Sequence, residues 1–174
     1  MNKQDFYFDL PQELIAQYPL PERRDSRLLT YNRQTSQYGH HQFTDIIDYL
    51  EPGDLLVMND SKVIPARLYG HKASGGKVEL LVERIIDEHT FLAHIKASKA
   101  LKAGGIIHLE QGKQLEVIGR DDDLFICKAK SDVLALLNHL GHMPLPPYIT
   151  RSDETMDLNR YQTVYAKWAG SVAA

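Results

Sequence analysis

From Pro65 onward the chain reads as a succession of short strand-like runs, rich in apolar and β-branched residues and separated by turn residues. The runs cover residues 66–69, 77–86, 90–96, 106–109, 115–118 and 124–129. Short strands in such close succession predict a small antiparallel barrel or sandwich. Gly75-Gly76 and Gly104-Gly105 fall where hairpins are expected, because glycine reaches the positive φ angles that tight turns need. Paired glycines can also cradle a phosphate, but neither pair opens a helix, so the turn is the preferred reading.

The flanks are patterned differently. Phe6, Phe8 and Leu10 alternate and predict a short half-buried strand ended by Pro11, with a helical turn over 12–16. Residues 27–31 predict a strand. Thr44 is placed as the N-cap of a short helix carrying Ile46, Ile47 and Leu50, and 54–58 predict a buried strand. Ser131 or Asp132 caps a helix with the apolar face Val133, Leu134, Leu136, Leu137 and Leu140; Gly141 stops it, and Pro144, Pro146 and Pro147 prevent its return. A second helical pattern over 158–166 puts Tyr161, Val164 and Tyr165 on one face.

The 174 residues are 43% hydrophobic and 25% charged, the mixture of a globular protein with enough apolar side chains for a core. A net charge of −3 excludes a strongly basic nucleic-acid coat. Cys127 is the single cysteine, so no disulfide forms within the chain, which agrees with a reducing cytoplasm. Apolar runs such as 55–58 are too short to cross a bilayer, and the first nine residues lack the plan of a signal peptide; no membrane association and a cytoplasmic location are expected.

Eight histidines raise the question of a metal. His139 and His142 are three apart, but Gly141 interrupts the helix between them, and His40 and His41 are adjacent, so no metal site is expected. Nucleophile elbow, P-loop and dinucleotide fingerprint are also missing from the sequence. Two segments stand out instead. Asn59-Asp60-Ser61-Lys62-Val63-Ile64-Pro65-Ala66-Arg67 gathers polar, acidic and basic groups after a strand-like run, where open α/β sheets collect ligands. Gly141-His142-Met143-Pro144-Leu145-Pro146-Pro147-Tyr148-Ile149 is stiff and displays His142 and Tyr148. The plain alternatives are a turn held by local Asn and Asp hydrogen bonds and a rigid hinge between domains.

These segments, with Arg151 and Asp153 and with Tyr161-Gln162-Thr163-Val164-Tyr165-Ala166, resemble the signature stretches of the S-adenosylmethionine:tRNA ribosyltransferase-isomerase family of queuosine biosynthesis. Asp5-Phe6, Leu10-Pro11, Pro21-Glu22-Arg23, Gly53-Asp54-Leu55-Leu56-Val57 and Ala73-Ser74-Gly75-Gly76-Lys77 extend the resemblance along the whole chain. It covers the family's N-terminal half. The resemblance implies a mixed α/β (α+β) fold: part of a discontinuous α/β barrel-like catalytic domain (1–67 and 147–174) with an inserted small antiparallel β-barrel domain and its helix (68–146).

It also implies a reaction. The ribosyl unit of S-adenosylmethionine, a co-substrate, moves onto 7-aminomethyl-7-deazaguanine at the tRNA wobble position to give epoxyqueuosine, with release of adenine and methionine. Such chemistry needs a base for the proton beside the sulfonium and an acid for departing adenine. Asp60 or His142 is expected to transfer protons, Asn59 and Tyr148 to orient ligand, and Arg67 and Arg151 to meet tRNA phosphate or the methionine carboxylate. A buried ion pair is the structural alternative for Arg67. Basic residues including Arg23, Arg27, Lys62, Lys72, Lys77 and Lys96 are candidates for tRNA contacts. As half of the family's length the chain is expected to be inactive alone and to self-associate through uncovered apolar surface. A non-catalytic RNA-binding module and a truncated gene product remain as alternatives.

Overall fold

The computed structural model describes residues 1–171. They form two compact units: Met1–Met58 with Tyr148–Arg151, and Asn59–Pro147 with Ser152–Ala174, the last three residues lying outside those described. This division differs from the expected one in placing 59–67 and most of the C-terminal segment with the barrel. A parallel ladder between Ser61–Val63 and Trp168–Ser171 and a Gln162 side-chain clamp on Val63 join the two segments.

In the first unit, β1 (Arg27–Asn32) and β2 (Gln37–Gln42) form an antiparallel hairpin in which Leu29 opposes His40 and Tyr31 opposes Tyr38. The 27–31 strand is therefore present. The strand expected over 5–10 is not: Lys3–Phe6 is a 3-10 turn, with the Asn2 N–H donating to Asp5 Oδ2 at 2.7 Å, and Phe6, Phe8 and Leu10 are exposed. Alternation alone makes no strand where no neighbouring strand accepts its hydrogen bonds. Gln12–Leu14 forms the expected helical turn. The helix expected after Thr44 is a 3-10 helix, Phe43–Tyr49, that begins earlier because the Gln42 N–H donates to Asp45 Oδ2. Residues 54–58 form no strand, and Leu55 and Val57 are 87% and 86% exposed.

The second unit contains the expected barrel. β3 (Ser61–Val63) is followed by β4 (Arg67–Lys72), β5 (Lys77–Ile85), β6 (Thr90–Ala97), β7 (Gly105–Leu109), β8 (Gln114–Asp121) and β9 (Leu124–Ala129). Strands β4 to β9 close in the order β4-β5-β6-β9-β8-β7, with every ladder antiparallel. Inward-facing Leu68, Val78, Leu80, Val82, Phe91, Ala93, Ile107, Leu115, Val117, Phe125 and Cys127 fill it, as period-two alternation requires of a small barrel. Bulges in β5 and β8 interrupt the registers and supply the bending that closure needs. At the β4–β7 seam a Cβ on Gly70 would meet the His108 carbonyl oxygen at 2.6 Å, so only glycine lets the strands meet. Gly75 (φ +82°) turns the β4–β5 hairpin as expected. Gly104 (φ +83°) instead turns a crossover, since β6 and β7 are not neighbours.

The helix α1 (Val133–Leu140) adds Val133, Leu136 and Leu137 to the barrel core. Asp132 is its cap, accepting from the Ala135 N–H at 2.6 Å. Gly141 ends the helix through space more than backbone conformation: its φ is −77°, but a Cβ there would overlap the carbonyl oxygens of Pro65 and Leu137. The second expected helix shrinks to one turn, α2 (Asp157–Arg160). Beyond it Gln162 points back to β3, its Oε1 accepting from the Val63 N–H (2.8 Å) and its Nε2 donating to the Val63 carbonyl (3.0 Å). β10 (Trp168–Ser171) then pairs in parallel with β3. A side chain that satisfies backbone groups across a 99-residue separation outweighs local helix propensity.

Candidate functional site

The chain leaves α1 at Gly141 and meets the start of β4. The Arg67 N–H donates to the His142 carbonyl (3.1 Å) and the His142 N–H to the Arg67 carbonyl (2.8 Å), a two-bond bridge that seats both side chains at one edge of the barrel. After it, Met143, Pro144 and Leu145 are buried, so the segment is anchored. Proline-fixed φ angles limit its other conformations.

His142 has one committed nitrogen. Its Nδ1 lies 3.0 and 3.2 Å from the two Asp153 oxygens, and Asp153 Oδ2 also accepts from the Met143 N–H at 3.1 Å. A carboxylate at Nδ1 makes that nitrogen the N–H bearer of the neutral ring, which leaves a lone pair on Nε2. Nε2 has no hydrogen-bond partner among the described residues, and the side chain is 39% exposed. The Tyr69 ring meets the imidazole edge-on, with centroids 5.0 Å apart. Arg67 is held beside them: its Nη2 donates to the Leu145 carbonyl at 3.2 Å, and its Nε faces Glu79 Oε1 at 3.3 Å as an ion pair without hydrogen-bond alignment. An oriented imidazole with a free lone pair, next to a guanidinium and an aromatic face, can take a proton from a bound ligand.

The other expected site residues are placed as follows. Asn59 and Asp60 are exposed at the start of β3, in the same unit as His142. Asn59 Oδ1 accepts from the Ser61 N–H (3.0 Å), the local turn bond of the plain reading. The Asp60 carbonyl accepts from the N–H groups of Lys167 and Trp168, and the residue is exposed. Tyr148 and Arg151 belong to the first unit. There the Tyr148 carbonyl accepts from Gln17 Nε2, while Arg151 Nε donates to the Gln17 carbonyl and its guanidinium lies 4.3 Å over the Tyr18 ring. Arg67 and His142 are thus brought together, and Asn59 stands beside Asp60. Asp153, Tyr69 and Glu79 are additional site residues; Asp153 has a sequence signal only as part of the family resemblance. Among the described residues no group of three or more His, Cys, Asp or Glu is placed to hold a metal ion.

The sequence matches the family described as "Queuosine biosynthesis protein" over residues 3–174. Curated relatives from the Paris and Lens strains of Legionella pneumophila, both named S-adenosylmethionine:tRNA ribosyltransferase-isomerase, are 74% identical over 174 residues, covering 100% of this chain and 52% of theirs. The chain therefore spans about half the length of these relatives. A crystal structure of S-adenosylmethionine tRNA ribosyltransferase from Thermotoga maritima is 37% identical with a TM-score of 0.41, covering 79% of this chain and 48% of that one.

Proposed function

The chain belongs to the queuosine biosynthesis protein family, and on that premise we propose that it forms part of an enzyme that modifies tRNA. The proposed reaction transfers the ribosyl unit of S-adenosylmethionine to 7-aminomethyl-7-deazaguanine at the wobble position, yielding epoxyqueuosine, adenine and methionine. The observation that carries this reading is the His142–Asp153 pair beside Arg67. The sulfonium acidifies the adjacent C–H, and the His142 Nε2 lone pair is suited to accept that proton, with Asp153 stabilising the imidazolium that forms. Asp60, exposed to solvent, is the second candidate for proton transfer to or from ligand.

Arg67 has five N–H donors, and those left over by Glu79 and Leu145 would bind the methionine carboxylate or a phosphate. Asn59 and Tyr148 are proposed to orient ligand, and Arg151 to meet tRNA phosphate or the methionine carboxylate. The test is adenine release from S-adenosylmethionine with tRNA bearing the aminomethyl base, comparing this chain with a version extended past Ala174 to the relatives' length. Release by the extended protein alone, lost on His142→Asn, is the expected result. Full activity of the extended His142→Asn variant would overturn the assignment of the base. Absence of release from the unsubstituted extended protein would overturn the reaction.

A further inference from the structure

The outer face of β7, β4, β5 and β6 carries three cross-strand rows in which cations outnumber acids. His142 bridges to Arg67, which opposes Leu81, which opposes His94. Tyr69 opposes Glu79, which opposes Lys96. His108 opposes His71, which opposes Lys77. The acid within these rows, Glu79, is engaged by Arg67. Glu110 lines the same depression as His71 and Lys77, and the Nζ of Lys72, next to His71 on β4, is bonded to the Lys99 carbonyl. His71 and His108 stack with centroids 5.5 Å apart and planes 21° from parallel. Two shallow depressions meet on this face and share Tyr69, Lys77 and Val78.

Tyr69 on β4 is 43% exposed, and on one side of it stand two exposed lysines, Lys77 on the adjacent strand β5 and Lys96 one strand further on β6, across Glu79. Such a residue would ordinarily be a cost on a barrel surface. Here it offers a flat apolar ring, while the lysines beyond it stand where a chain of phosphates crossing the ring would pass. That is the composition of a single-stranded nucleic-acid platform, in which bases stack on aromatics and cations follow the backbone. The β8–β9 turn, by contrast, carries Asp121, Asp122 and Asp123, so the polarity of the barrel distinguishes its faces.

We propose that this face binds an RNA strand, with one unstacked base on Tyr69 and the phosphates that follow it running over Lys77 and Lys96 toward β6. The site rests on the proposed tRNA role and specifies where the RNA lies. Because Tyr69 touches His142, a base stacked there would sit next to the imidazole.

The experiment is fluorescence anisotropy of the 174-residue chain with a labelled RNA stem–loop of unmodified sequence, at several salt concentrations. Lys77→Glu/Lys96→Glu is expected to weaken binding by tenfold or more and to reduce the slope of log K against log salt by about 1.4, two phosphate contacts at about 0.7 each. Tyr69→Ala should weaken binding about 5- to 150-fold, the range of one lost base stack, whereas Tyr69→Phe should retain it. Lys128→Glu/Lys130→Glu, away from the face, serves as the charge control. Unchanged affinity in Lys77→Glu/Lys96→Glu, an equal loss in the control, or no RNA binding by the parent chain would each overturn the proposal. Unmodified RNA makes the readout independent of chemistry: failure of adenine release with RNA binding intact refutes the reaction and leaves this surface standing.

Discussion

Replacing Asp153 separates the structural work of this carboxylate from its proposed chemical work. It accepts from two donors: the His142 ring N–H and the N–H of Met143, whose residue is 1% exposed. In Asp153→Ala both lose their acceptor. Water can reach the half-exposed imidazole, so its loss costs only about 1 kcal/mol, but the buried Met143 N–H has no substitute, and an unsatisfied buried donor costs about 1–3 kcal/mol. With the charge-assisted bond to His142 added, the expected total is about 2–4 kcal/mol. Asp153→Asn behaves otherwise. Its carbonyl oxygen can still serve Met143, and its amide N–H₂ then faces Nδ1, which becomes an acceptor if the ring moves its proton to Nε2. Stability should fall by only about 1 kcal/mol, while Nε2 loses the lone pair the reaction needs. Urea unfolding of the 174-residue chain, followed by circular dichroism, should show the alanine variant about 1 M or more below the parent at an m-value of about 2 kcal/mol per M. In the extended protein Asp153→Asn should lose about 10²- to 10⁴-fold in turnover, the usual contribution of a positioned base. If the asparagine variant is less stable than the alanine variant, the hydrogen-bond assignment is wrong. If it keeps full turnover, His142 is not the base.

Other substitutions probe the joints of the fold. Gly141→Ala forces a Cβ into two carbonyl oxygens and should cost more than about 3 kcal/mol, read as a lowered urea midpoint; a loss below about 1 kcal/mol would mean that the chain leaves α1 by another path. Gln162→Ala removes both side-chain bonds to the Val63 backbone and should cost about 1–3 kcal/mol, with faster amide exchange at Val63 as its local signature. Burial pushes the Cys127 thiol up to about 12, from an ordinary 9.0. The folded state therefore holds this proton more tightly than the unfolded one. Its contribution is complete below pH 9 and is lost as pH rises from 9 to 12, at up to about 1.4 kcal/mol per unit. At pH 9 iodoacetamide should label the urea-unfolded chain and spare the native one, and rapid native labelling would contradict the burial.

The barrel was legible because each of its strands is a local statement. Lys77–Ile85 and Leu124–Ala129 alternate around residues that all reach one core, so the expected limits lie within a few residues of the observed ones. Alternation gives strand existence but not strand order, which is why Gly104 reads as a hairpin glycine and proves to serve a crossover. Residues 158–166 mislead for the opposite reason: their apolar spacing is helical, but Gln162 is taken by Val63, a partner that no local window contains.

The site divides along the same line. His142 and Arg67 are visible in sequence because each is a polar group in a segment that looks costly, one just ahead of a run of prolines and the other at the end of a stretch of polar and charged residues. Their contact is a product of the closed barrel, since the end of α1 must return to the start of β4 for the two backbone bonds to form. Asp153 enters only when the chain, having passed through the other unit at Tyr148–Arg151, comes back to receive the Met143 N–H and the imidazole together. A residue whose role depends on two returns of the chain leaves no periodic trace. The separation predicts how substitutions will divide: changes to the inward-facing core residues of β4 to β9 should act chiefly on stability, whereas Asp153→Asn should act chiefly on turnover. A barrel-core change such as Leu80→Ala, expected to cost about 2–5 kcal/mol, should therefore leave the turnover of the molecules that remain folded nearly unaltered. Loss of turnover in fully folded Leu80→Ala protein would show that the barrel takes part in the chemistry itself.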